Sequence, residues 1–451
     1  MNAYILTEIT KRELDSNILL ACIAADNDFE VMISNSDTIK NLNLKKILKK
    51  GVFHTKSLVH GEKKKILHGK IKENGHKITS LDEESGLILD DLSFFCESRF
   101  SNEELSVIDR VFCWGTHDYQ SLKSMYPNHR EKFILSGSPR IDILHKRLKK
   151  YWDNQENKKS ILISSNFNLV NGYIETSKIV KDIEKQGFFK RSQDYKEFLN
   201  IVIPETKKKF ENFQIMSKEL INSFPNEHFV FRPHPMEKPL FWKDFFQDHK
   251  NIRVSNQGNI NSQLLNCKLL IHNSCTTAFQ AYMFDIPTLS YEPFKSVSNY
   301  GNPANKLSER IQDLGLLKNK VKEILDKRFD HSKKDEKLKT FNFKVFIPNE
   351  LYSSDIIVKS WKKILYQGDN KKNNWKRIKF ELKILQIKDF VLKFLISILK
   401  PSKNLYFDRK FETISEIEIL EKVKKISNLL SLKNISCEKL SDKSFVVKKV
   451  N

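Results

Sequence analysis

Phosphate-binding glycine loops are missing from this chain. Its 13 glycines in 451 residues form neither Gly-x-x-x-x-Gly-Lys nor Gly-x-Gly-x-x-Gly, which excludes the P-loop and the dinucleotide fingerprint. The six cysteines (Cys22, Cys96, Cys113, Cys267, Cys275 and Cys437) include no Cys-x-x-Cys pair and no zinc spacing with histidine. Most lie in apolar runs and read as reduced core residues of a cytosolic protein. There is no Gly-x-Ser-x-Gly elbow. No uninterrupted apolar run approaches the ~20 residues of a membrane span, and the first residues lack the basic-then-apolar order of a signal peptide. Asp26-Asn27-Asp28 has the form of a metal-binding Asp-x-Asp, but it falls between a helix and a strand, where a turn is expected. The sequence thus offers no motif for a metal or a resident cofactor, and the chain is expected to be cytoplasmic.

What the chain does have is positive charge and alternating apolar segments. The formal charge is +22 with pI ≈ 9.4, a balance that suits an anionic substrate, membrane or nucleic acid. Between Trp361 and Lys410 there are 14 Lys/Arg against 4 Asp/Glu, so nearly half the net charge sits in a ninth of the chain. No basic platform interleaved with aromatics occurs in the first two domains, so nucleic acid ranks last.

Short apolar runs alternate with segments of helical periodicity from the start. Tyr4–Leu6, Phe29–Ile33 and Gly51–His54 read as strands. Between the first two, Leu14, Ile18, Leu19, Cys22 and Ile23 share one helix face. The alternation resumes at Ile161 and runs through Phe229–Phe231, Ile252–Val254, Leu269–Ile271 and Thr288–Tyr291. This βαβα order predicts parallel sheets. The expected division is a Rossmann-like domain over 1–150, a second over 160–340, and a basic helical extension over 341–451. In that extension, Trp375–Lys400 mixes Lys and Arg with apolar residues up to Pro401. It is expected either to rest on an anionic membrane surface, peripherally at the inner face, or to pack across the domains as a closing helix.

Two strand ends carry chemistry-bearing residues. Phe229-Val230-Phe231 stops at Arg232-Pro233-His234-Pro235. The prolines restrict the backbone around His234; a fixed imidazole can hydrogen-bond a phosphate or, as imidazolium, protonate it, and Arg232 adds a donor fork. Leu269-Leu270-Ile271 leads to His272-Asn273-Ser274-Cys275-Thr276-Thr277, which opens a helix; hydroxyls and amides at such a start favour an anion. Taken alone, the first is as readily a turn and the second an ordinary N-cap. Their conjunction, followed by Pro287 and Tyr291-Glu292-Pro293, points to a site. A third stretch, Asp82-Glu83-Glu84-Ser85-Gly86, follows a strand; adjacent carboxylates there can raise one another's pKa toward that of a general base.

An acidic turn ending in glycine, then His-Pro, then a Ser/Thr pair at a helix start resembles the bacterial sialyltransferases and capsular Kdo transferases. The chain is similar, more closely, to the surface carbohydrate biosynthesis proteins of polysaccharide loci, over roughly residues 4–350. The resemblance implies a metal-independent GT-B glycosyltransferase, with two Rossmann-like domains facing a cleft, acceptor on the first and nucleotide sugar on the second. It implies that Glu83 or Glu84, or Asp82 beside them, is the base, and that His234 meets the phosphate of a CMP-linked donor. Arg232, Pro235, Asn273, Ser274, Thr276, Thr277 and Glu292 would line the nucleotide. The donor would be a 2-keto sugar acid, Kdo or a nonulosonate, and the acceptor a glycan or glycolipid. Ser85 interrupts the acidic motif, and Gln280 and Asp285 stand where Glu and Gly are usual. A CDP-alditol phosphotransferase and a UDP-sugar 2-epimerase are the rival readings.

Overall fold

The computed structural model describes residues 1–58, 61–83, 92–152, 159–185, 193–297, 302–327, 334–349, 351–365, 371–399, 413 and 415–450. Its strands are β1 (Asn2–Thr7), β2 (Glu30–Asn35), β3 (Val52–Thr55), β4 (Lys77–Leu81), β5 (Arg110–Cys113), β6 (Phe133–Leu135), β7 (Ser160–Ser164), β8 (Phe229–Arg232), β9 (Ile252–Val254), β10 (Cys267–His272), β11 (Thr288–Tyr291), β12 (Glu309–Ile311), β13 (Ile435–Ser441) and β14 (Ser444–Lys449). They fall into two α/β units. Unit 1 takes the described residues that lie within 1–86, 91–151 and 342–451, and unit 2 those within 152–341. The chain thus has the two-unit, parallel-sheet α/β organisation of GT-B enzymes.

Unit 2 is a six-stranded sheet in the order β12-β11-β10-β7-β8-β9, parallel throughout. The chain moves outward one way from β7 and the other way from β10. The order therefore reverses between these two strands, the position at which open α/β sheets bind ligands, outside the carboxyl ends. The four inner strands, β11, β10, β7 and β8, are short, largely apolar and mostly buried, as parallel strands covered on both faces must be, while the edge strands β9 and β12 are partly exposed. Their core is aromatic: Trp242 lies 4.2 Å from Phe231, centroid to centroid, with Phe167, Phe213 and Phe246 around them.

Unit 1 has six parallel strands in the order β2-β1-β3-β4-β5-β6, with its reversal between β1 and β3. The C-terminal stretch corrects the expectation of a separate helical extension over 341–451. The hairpin β13–β14 adds to the edge at β2, antiparallel, so the sheet has eight strands. The helices Ser353–Ile364 and Glu416–Leu429 pack on the helix Thr10–Asp26. That helix was expected to bury one face. Instead every residue from Glu13 to Ala25 is buried, because chain from the far terminus covers its outer side.

The return of the chain is built into unit 1 at two glycines. A Cβ on Gly115 would lie 2.5 Å from the backbone of Lys344, and one on Gly137, whose φ is +77°, would lie 2.3 Å from the carbonyl oxygen of Phe346. Only glycine admits so close an approach. Asp142, buried, then accepts from Ser353 N (2.9 Å), Ser354 N and Ser354 Oγ (both 2.8 Å), capping the helix Ser353–Ile364 from outside it.

Candidate active-site residues

The carboxyl ends of β7, β8 and β10 carry three loops tied into one frame. Asn166 N, after β7, donates to Asn273 Oδ1, after β10, at 3.0 Å. Ser164 Oγ reaches Cys275 Sγ at 3.8 Å, and Ser165 N donates to Arg232 O at 3.1 Å. Asn273 is therefore a strut across the reversal point of the sheet.

The centre of this frame is Glu237, which the motif reading passed over. Its side chain is fully buried. Oε1 accepts from Ser165 Oγ (2.9 Å), Phe167 N (2.9 Å) and His234 N (3.1 Å); Oε2 accepts from Trp242 Nε1 (2.9 Å) and Asn171 Nδ2 (3.4 Å). A buried carboxylate is tolerated when its lone pairs are filled in this way. The spacing of three from His234 was the available signal: a carboxylate there turns back to cap the Pro-His-Pro turn. Met236 N donates to His234 Nδ1 at 3.2 Å. Nδ1 is thus an acceptor here, and in the neutral ring the proton sits on Nε2. His234 is half-buried and Pro235 exposed.

Arg232 does not present an open fork. Its guanidinium donates to Gln257 O (3.1 Å) and Gly258 O (2.9 Å), and burial pushes its pKa down to about 10. Glu292, assigned to the nucleotide from sequence, is buried and held by both nitrogens of one side: Arg310 Nε at 2.9 Å and Arg310 Nη2 at 2.7 Å. Its carboxylate is committed to that pair.

The loop after β10 is also held from outside the motif, by Ser308 and Asn305. His272 is fully buried and burial pushes its pKa down to about 3. It is thus neutral, with Nδ1 accepting from Cys275 N (3.1 Å) and Nε2 beside Ser308 Oγ (2.7 Å). Ser274 has φ +55°, a left-handed backbone that costs a non-glycine residue roughly 1 kcal/mol. Its Oγ accepts from Asn305 Nδ2 at 3.0 Å. Thr276 is exposed, whereas Thr277 is buried with Oγ1 3.1 Å from Cys275 Sγ. The helix that follows, Thr277–Met283, has only seven residues. Gln280 donates to Asn261 Oδ1 at 3.0 Å, and Asp285 has φ +55°.

The corresponding edge of unit 1 is a cluster of charges. Glu13, fully buried, accepts from Glu8 N (2.7 Å) and pairs with Arg12 (3.0 Å) and Lys56 (3.6 Å). Glu8 and Lys56 follow β1 and β3, so this network spans the reversal point. Beside it, after β4, lie Asp82 and Glu83; Glu84, Ser85 and Gly86 lie outside the described residues. Asp82 is buried, with Arg99 at 3.4 Å. Glu83 Oε2 is buried and has no hydrogen-bond partner among the described residues; Arg140 Nε stands 3.8 Å away. Burial, then the Glu13 carboxylate, raise the Glu83 carboxyl to about 7 against the pull of Arg140, Arg12 and Lys56. Lys64 donates to Ser57 Oγ at 2.9 Å, and burial followed by Lys56 and Arg99 push it down to about 8. Among the described residues no group of three or more His, Cys, Asp or Glu is placed to hold a metal ion.

These two edges belong to a two-unit α/β fold of the GT-B kind. The chain matches no family model and no curated protein. It is similar to solved structures across most of its length. One is S. aureus MnaA with UDP: 13% identity, 81% of this chain and 98% of that one, TM-score 0.47. Another is the Methanocaldococcus jannaschii UDP-GlcNAc 2-epimerase with UDP-GlcNAc and UDP: 13% identity, 80% and 99%, TM-score 0.48. A third is a variant of the wall teichoic acid polymerase TagF: 12% identity, 74% of each chain, TM-score 0.43. The likeness is one of fold, and no residue role passes from these proteins to this chain.

Proposed function

We propose that this chain is a glycosyltransferase of surface glycan assembly that uses a nucleotide-activated sugar, with a CMP-linked 2-keto sugar acid as donor. The observation that carries the reading is the frame at the reversal point of unit 2. There, the polar ends of β7, β8 and β10 are fixed to one another by Asn273 and Glu237, where a nucleotide binds in sheets of this kind. His234 offers an Nε2–H to a phosphate oxygen, and Ser274 and Thr276 offer hydroxyls. The guanidiniums of Arg232 and Arg310 are already committed to protein partners, which suits the single phosphate of a CMP-sugar better than a diphosphate.

Unit 1 would supply the base. Glu83, raised to about 7, takes the proton from an acceptor hydroxyl as that oxygen bonds to the anomeric carbon. The bond from this carbon to the phosphate oxygen breaks, and the electron pair leaves on CMP, where the His234 hydrogen bond stabilises the developing charge. The peripheral membrane contact proposed below would bring this chemistry to lipid-linked acceptors.

Thermal-shift measurement against CMP, CDP, UMP and UDP tests the reading. Stabilisation should be largest with CMP. Preference for UDP would replace it with the 2-epimerase reading, and preference for CDP with the alditol phosphotransferase.

A further inference from the structure

Over residues 375–391 of the helix Trp375–Leu399, one side is fixed to unit 1 and the other is exposed. Ile378 and Leu382 are buried, and the helix packs against β13 and the helix Ser36–Leu44. Trp375 Nε1 donates to Glu30 (3.0 Å), Lys45 pairs with Glu381 (2.7 Å) and Lys379 with Glu438 (3.5 Å). These contacts fix the rotation of the helix about its axis.

On the opposite side, Phe380, Ile384, Ile387 and Val391 recur at i, i+4, i+7 and i+11, the spacing of a single stripe. Phe380 is 63% exposed, Ile387 64% and Val391 49%, and Phe390, at the border, 72%; Ile384 is half-buried. At about 100° per residue, Lys376 and Lys383 run along one edge of the stripe, and Arg377 and Lys388 along the other. From residue 371 to 391 there are seven Lys/Arg and two Asp/Glu. From Ile387 to Val391 every side chain is exposed. Among the described residues no helix is long and apolar enough to cross a membrane.

A stripe of large apolar side chains bordered by cations on both edges is the pattern of a helix lying in a bilayer interface, apolar residues among the acyl chains and cations at anionic headgroups. We infer that the Phe380–Val391 face of this helix seats unit 1 on an anionic lipid surface. The charge selects the occupant: a second copy of this chain would bring a like-charged border to each edge. The inference does not depend on the nucleotide chemistry, and its test involves no turnover.

The experiment is co-sedimentation of the full chain with vesicles of equimolar phosphatidylglycerol and phosphatidylcholine, and with phosphatidylcholine alone. The chain should sediment with the anionic vesicles and stay largely in solution with the neutral ones. The triple variant Phe380→Ser, Ile387→Ser, Val391→Ser should bind the anionic vesicles about tenfold more weakly or worse with an unchanged melting temperature, since none of the three is in the core. If the triple variant melts early, the pair Lys383→Glu, Lys388→Glu decides by the same loss of binding. Undiminished binding by whichever variant decides, or equal binding to both vesicle types, overturns the inference. So does a wild-type dimer that ignores vesicles and dissociates in the variant, which would assign the stripe to a second copy.

Discussion

The reversal points of the two sheets occupy the same place in their units and hold opposite chemistry. In unit 2 the crevice is framed by amides, hydroxyls and an imidazole, and its one central carboxylate, Glu237, is filled by five donors. In unit 1 it is crowded with Glu8, Arg12, Glu13, Lys56, Lys64, Asp82, Glu83, Arg99 and Arg140, and one Glu83 oxygen has no hydrogen-bond partner among the described residues. The same topology thus provides, in one unit, a cradle whose charged groups are filled by its own hydrogen bonds and, in the other, a group whose proton affinity is set by competing neighbours. The first arrangement suits holding a ligand; the second suits moving a proton.

The sharpest way to break this contrast is Glu83→Gln. Loss of a general base should cut turnover by about 10²–10⁴ while nucleotide-induced thermal stabilisation stays intact. Full turnover would remove the base assignment. Glu237→Ala should cost about 3 kcal/mol of stability, since it leaves buried donors of Ser165, Phe167, His234 and Trp242 unsatisfied; urea unfolding followed by tryptophan fluorescence measures it. If Glu237→Ala melts like the wild type, the frame is not what holds unit 2's crevice. His234→Ala should weaken CMP binding about tenfold, the worth of one hydrogen bond to a charged oxygen, with little change in melting temperature of the free chain; calorimetric titration reads both arms.

The smallest effect concerns pH. A carboxyl raised to about 7 in the folded chain holds its proton more tightly than in the unfolded chain, where 4.5 is ordinary. The resulting stabilisation is complete below about 4.5 and is lost as pH rises through about 7. If Glu83 is the base, turnover should run the other way, rising over the same upper range as the carboxylate forms. Glu13→Gln removes a like charge from beside Glu83, so the rising limb of kcat/KM should move to lower pH. A limb that stays in place would uncouple the two carboxyls.

The difference between the crevices also explains what could be read from the chain. Unit 2's loops are contiguous: Arg232 to Pro235 and Asn273 to Thr277 each follow one apolar run, so local pattern finds them. Glu237 was missed although only three residues on, because a lone glutamate after His-Pro looks solvated until its burial is known. His272 and Asn305 act by holding the backbone around Ser274, a role no motif announces. Unit 1's cluster is drawn from four strand ends and the helices after them. Of its members only Asp82 and Glu83 stood out, by adjacency. Arg140, Lys64 and Glu13 are ordinary charges in sequence and become neighbours only through strand order. The C-terminal hairpin was equally hidden: Ser444–Lys448 reads as a short strand, but nothing local says that its partner is β2.

That pairing has a consequence for how the protein is made. β2 is complete by residue 35, and β14 arrives more than 400 residues later. At ~5–20 residues per second of synthesis, the hydrogen-bonding edge of β2 stays open for about 20–80 s, a template for wrong partners. Unit 2 is translated in full during that wait and can fold first. Unit 1 thus has its first strands made before unit 2 and its edge hairpin made after it. A nascent chain halted before Ile435 should show fast amide exchange along β2 and protection along β7 and β10, the mark of a sheet whose edge waits for a partner made far downstream.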